Sequence, residues 1–167
     1  DSYNYGSQQK MCRGATMTER QQLIAKKLHI LSVKKTLGRL SGIDIIGIVD
    51  ENENNRLSEL YSAYTPIMCS YATVPYSKIS YKSNEEQVAS WIIESMELKE
   101  NIRYFFNCKG TWVGIKFLNL HEGVNSLWKH QGLGFMLASN DLTQIMEASF
   151  DSRDEDNYLI DIWNYKS

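Results

Sequence analysis

The chain has 167 residues, of which 43% are hydrophobic and 23% charged, a size and balance that fit one globular domain and exclude a disordered chain. A chain of this length buries enough surface to fold without a metal or a disulfide framework. The net charge of −2 decides little as a whole, but its distribution is uneven. Between Lys10 and Arg39 there are eight basic residues against one acid, and between Asp141 and Asp161 seven acids against one base. Either patch could steer a partner of opposite sign, or the two could be ordinary solvated surface. Three widely spaced cysteines, Cys12, Cys69 and Cys108, point to a reducing cytoplasm rather than a disulfide scaffold. No apolar run reaches the length of a membrane span, and no signal peptide is expected, because the N-terminus is polar.

Residues 1–16 read as a native arm or as the remnant of a fusion, with Met17 as a natural start and 17–167 as a single α+β domain. Thr18 to about Leu40 is expected to be helical, with Thr18 as N-cap and Gln21 at the capping-box spacing. Its stripe of Leu23, Ile30, Val33, Leu37 and Leu40 reads as core packing, with Lys26, Lys27, Lys34 and Lys35 largely off the stripe. Ile43 to Val49 is a strand or a continuation of helix. Asn54 or Asn55 is expected to cap a short helix that runs through Tyr64 and ends at Pro66. Tyr71 to Lys82, with Pro75 inside it, reads as an edge strand or an extended loop.

Ser83 to Glu86 opens a helix that runs to about Leu98, with Val88, Trp91, Ile92 and Met96 on its apolar face. Ile102–Cys108 and Thr111–Leu118 form a hairpin around Lys109-Gly110, with Val113, Ile115 and Phe117 pointing opposite to Trp112, Gly114 and Lys116. A short helix follows from His121 to Gln131, then a strand from Gly134 to Ala138. Asn140-Asp141 is expected to cap a helix reaching Ser149. A last strand covers Asn157 to Tyr165. The order, helices first and then β-β-α-β-α-β, implies an α+β fold with a mostly antiparallel sheet.

Familiar chemistry finds little purchase. His121 and His130 are nine residues apart and there is no Cys-x-x-Cys, so neither metal nor cofactor is expected. The run 151–156 (Asp-Ser-Arg-Asp-Glu-Asp) lacks the alternation and central Gly of a calcium loop. There is no phosphate-binding glycine loop and no nucleophile elbow. Cys108 with His121 or His130 is the one arrangement open to a nucleophilic enzyme, and Lys26, Lys27, Lys34 and Lys35 are open to RNA phosphates.

The C-terminal half, with residues 135–142 (Phe-Met-Leu-Ala-Ser-Asn-Asp-Leu) and then 151–162, resembles the immunity proteins of bacterial contact-dependent inhibition and other polymorphic toxin systems. The likeness covers residues 85–165 and is one of texture and element order. It implies a cytoplasmic, non-catalytic antidote that binds a cognate toxin domain, commonly a basic nuclease, and covers its active site. On that reading Asp151, Asp154, Glu155 and Asp156 are the candidate partner-binding residues, mimicking a phosphate backbone. A small nuclease or transferase, or an RNA-associated adaptor, is the alternative. Oligomeric state is left open.

Overall fold

The computed structural model describes residues 17–165, so the expected arm over 1–16, with Cys12, lies outside the described residues. The chain divides into two compact units, residues 1–32 and 33–167. Helix α1 (Glu19–Leu37) begins in the first. Thr18 and Gln21 form the expected reciprocal cap: the Thr18 N–H donates to Gln21 Oε1 at 2.9 Å and the Gln21 N–H to Thr18 Oγ1 at 3.2 Å. The stripe behaves only in part as expected. Val33 and Leu37 are buried and Leu40 is half-buried, whereas Leu23 is exposed.

The second unit is an α+β fold. Its further elements are β1 (Ile43–Ile48), α2 (Glu51–Met68), β2 (Ser77–Ser80), α3 (Glu85–Met96), β3 (Arg103–Cys108), β4 (Thr111–Phe117), α4 (Leu120–Lys129), β5 (Gly134–Ser139), β6 (Gln144–Ser149) and β7 (Asn157–Asn164). The strands form one antiparallel sheet in the order β1-β4-β3-β5-β6-β7-β2. β2, with Pro75 just before it, is an edge strand, as the sequence implies.

Each face of the sheet carries its own core. On one, α3, α4 and the end of α1 cover Phe106, Val113, Ile115, Phe117, Leu137 and Ile160. On the other, Leu57, Leu60 and Tyr64 of α2 pack on Phe105, Trp112, Met136 and Ile145. Gly42 and Gly123 allow α4 to approach β1 closely: a Cβ at Gly42, where φ is +71°, would lie 2.7 Å from the Gly123 nitrogen.

One open alternative resolves to a strand, and three sequence expectations are corrected. Ile43–Ile48 is a strand, paired with β4. The cap of α2 is Asp50, whose carboxylate accepts the Glu53 N–H at 2.8 Å, and not Asn54 or Asn55. Pro66 lies inside α2, which continues to Met68. The carbonyl that Pro66 leaves without a donor belongs to exposed Ser62, where water can satisfy it. Finally, Gln144–Ser149 is a strand, so the C-terminal order is β-β-α-β-β-β. Asp141 does not cap a helix. It accepts the Thr143 N–H at 3.2 Å and the Thr143 hydroxyl at 2.7 Å, and Leu142 at φ +59° reverses the chain into a hairpin.

Candidate functional site: an acidic loop among exposed tyrosines

The loop between β6 and β7 is organised by Arg153. Its guanidinium donates to both oxygens of Asp161 (3.0 and 2.6 Å), to both oxygens of Asp151 (3.1 and 2.9 Å) and to the Thr73 carbonyl (3.2 Å). These two-pronged pairs suit the planar fork of arginine. The hydrogen bonds it donates to Asp161 and Asp151 hold the guanidinium charged, and Arg153 in turn keeps the Asp151 carboxyl below its usual range. Asp161 is buried on β7 and reaches the α2 face of the sheet, directly across from Glu147 on β6.

Glu147 is less well compensated. It accepts one hydrogen bond, from the Tyr64 hydroxyl at 3.3 Å. Burial, then the charge of Asp161, pushes its carboxyl up to about 7. Burial and then the Glu147 charge push the Tyr64 phenol upward as well. Beyond the end of α2 this network opens into a cleft of about 380 Å³, lined by Met68 to Tyr71, Glu147, Ser149 and residues 151–153.

Around the loop lies a run of exposed apolar side chains. Tyr71 is 79% exposed, Val74 84% and Tyr76 64%, and Tyr81 and Phe150 are also exposed. They belong to the segments on either side of β2 and to the residue after β6, and the loop ties several of them together. The Ser152 hydroxyl donates to the Tyr71 oxygen at 3.4 Å, the Tyr81 N–H to the Asp156 carbonyl at 3.1 Å, and the Tyr81 and Phe150 rings lie 6.4 Å apart. A second cleft, of about 430 Å³, runs between Tyr71–Lys78 and Arg153-Asp154. Aromatic residues held in place on a surface are the composition of protein-binding hot spots.

The structure brings together the four acids singled out in the sequence but gives them different work. Asp151 is committed to Arg153. Asp154 accepts from the Asn157 amide at 2.8 Å, which holds its carboxyl down, and Lys78 stands 3.8 Å away. Glu155 and Asp156 are exposed. Sequence reasoning missed Arg153 as the organiser, Glu147 as a half-buried carboxylate at the cleft, and the tyrosines as a surface. The density of Tyr in 71–81 was the available signal, since an edge strand cannot bury them all.

Cys108 is fully buried in the core beneath α3 and α4, and burial pushes its thiol upward, opposite to what a nucleophile requires. His130 stacks edge-on against Phe106 and donates from Nδ1 to the Leu127 carbonyl, and burial pushes it downward. His121 lies on α4 with its Nε2 3.2 Å from the Ser90 hydroxyl. Among the described residues no three His, Cys, Asp or Glu side chains converge on a point suited to a metal ion. No helix among them is long and apolar enough to cross a membrane. Comparison with protein-family models, curated proteins and solved structures finds no match to this chain.

Proposed function

We propose that the chain is a non-catalytic protein-binding domain that captures a basic partner through the 151–156 loop and the tyrosines around it. In its specific form, the partner is the toxin domain of a bacterial contact-dependent or polymorphic toxin system, a nuclease, and the chain is its cytoplasmic antidote. One observation carries the reading: Glu155 and Asp156 stand exposed on a loop that hydrogen-bonds to exposed Tyr71 and to the backbone of exposed Tyr81, so charge for steering and aromatic area for retention share one surface. A basic nuclease would meet acids where it expects phosphates, with its active site covered.

The test is binding to the toxic domain encoded immediately upstream of the gene, read by surface plasmon resonance and by loss of nuclease activity. Glu155→Lys with Asp156→Lys should slow association at least tenfold at low salt and flatten its salt dependence. Tyr76→Ala should instead speed dissociation. No binding, or rates unmoved by both changes, would overturn the proposal.

A second reading, a small enzyme, has Glu147 in its favour: a carboxyl near 7 in a cleft is suited to acid–base work. Glu147→Gln separates the two readings, because a binder keeps full neutralising power and an acid–base enzyme does not.

A further inference from the structure

A different surface, within the first unit, carries its own argument. At 3.6 residues per turn, side chains seven apart nearly superpose along a helix. On α1 this aligns Leu23 with Ile30, Arg20 with Lys27, and Ile24 with Leu31, as three adjacent rows with the cations in the middle. Leu23 is 53% exposed, Ile24 48% and Leu31 61%, and Arg20 and Lys27 are exposed too. A shallow groove of about 440 Å³ lies along these rows, lined by Leu23, Lys26, Lys27, Ile30 and Leu31, with Lys26 at the outer edge of the Leu23–Ile30 row. Neither Arg20 nor Lys27 pairs with a carboxylate among the described residues.

The pattern selects its occupant. A lipid surface would have to take the cation row at the centre of the apolar arc, where the charges could reach headgroups only by lifting the apolar rows out of the bilayer. A second copy of the same face would set cations against cations. Nucleic acid would leave both apolar rows unused. A partner helix with carboxylates recurring every seven residues between two apolar rows satisfies all three rows at once.

We infer that this face of α1 is a docking site for such an acid-centred amphipathic helix of a partner protein. The site is independent of the acidic loop and of the immunity reading. The probe is a synthetic helical peptide with glutamate every seven residues between leucine rows, and a control peptide with lysine in place of glutamate. Binding to the full chain is followed by fluorescence anisotropy. The glutamate peptide should bind and the lysine peptide should not. Arg20→Glu with Lys27→Glu should weaken the glutamate peptide by roughly tenfold and confer binding of the lysine peptide. Lys27→Gln alone should give a smaller loss. Both sites are exposed, so circular dichroism should be unchanged. The inference is overturned by equal binding of the two peptides, by binding of neither, or by an affinity that the reversal leaves unmoved. It is overturned equally if the chain sediments as a dimer that Ile24→Glu dissociates, or if phosphatidylglycerol vesicles or an RNA oligonucleotide bind at Lys27 more tightly than the glutamate peptide.

Discussion

Glu147 gives the sharpest prediction. It faces Tyr64 from α2, Asp161 from β7, and Arg153 and Asp151 from the loop beyond β6. Arg153 gives its hydrogen bonds to the two aspartates, so against burial and the charge of Asp161 the Glu147 carboxylate has one phenol donor and the unbonded charge of Arg153. Its proton affinity therefore rises from an ordinary 4.5 to about 7 on folding. Each tenfold change in affinity is worth ~1.4 kcal/mol, so the ionised carboxylate costs the fold roughly 3 kcal/mol. Between these two values the folded state holds more protons than the unfolded one, so this contribution to stability falls as pH rises from about 4.5 to about 7 and is flat above. Glu147→Gln keeps an acceptor for Tyr64 and removes the charge. Urea denaturation of both proteins from pH 5 to 8 isolates the effect. His130, depressed by burial, and the depressed Asp151, Asp154, Asp141 and Glu85 cancel in the difference. Relative to the wild type, the glutamine variant should gain about 2.5 kcal/mol between pH 5 and pH 8. A flat difference curve would refute the reasoning and mean that water or relaxation solvates Glu147.

Two other predictions concern the same unit. Arg153→Met should destabilise it by about 3–5 kcal/mol in urea denaturation, because buried Asp161 is left charged and unpaired, and adding Asp161→Asn should recover much of the loss. With Cys12 replaced by Ser, iodoacetamide at pH 8 should label exposed Cys69 quickly and fully buried Cys108 only as the protein unfolds, a difference read by mass spectrometry after quenching. Fast labelling of Cys108 in the native state would contradict its place in the core.

Most elements could be read from the sequence where a local signal and the tertiary environment agree. Asn84 and Gln87 form the capping box of α3, and Lys109-Gly110 turns the β3–β4 hairpin, with positive φ at both residues. The alternation assigned to β4 is observed, Val113, Ile115 and Phe117 in one core and Trp112 in the other. Agreement fails at β6. Leu142, Ile145 and Met146 have helical spacing, and Asn140-Asp141 looks like a cap. Both faces of β6 are covered, however, so Ile145 and Met146 are buried on opposite sides and the period of two that marks a half-exposed strand is lost. A strand buried on both faces cannot be told from a helix by periodicity, and here the turn at Leu142, not the apolar pattern, decides the outcome.

The site was harder to read because charge counting sums residues without regard to burial. The seven acids between Asp141 and Asp161 are not one patch. Arg153 absorbs the charge of Asp151 and Asp161, Glu147 is half-buried against Tyr64 and partly protonated at neutral pH, and Lys78 shares Asp154. Near the tyrosines, the charge facing solvent reduces to Glu155 and Asp156 with part of Asp154. So small a charge gives only modest steering at physiological salt, where the Debye length is about 8 Å. If this surface holds a partner tightly, the exposed aromatic side chains must supply most of the affinity. The loss on Tyr76→Ala should then exceed the loss on reversing Glu155 and Asp156 at 150 mM salt, and the order should invert as salt is lowered, where the few charges act over longer range.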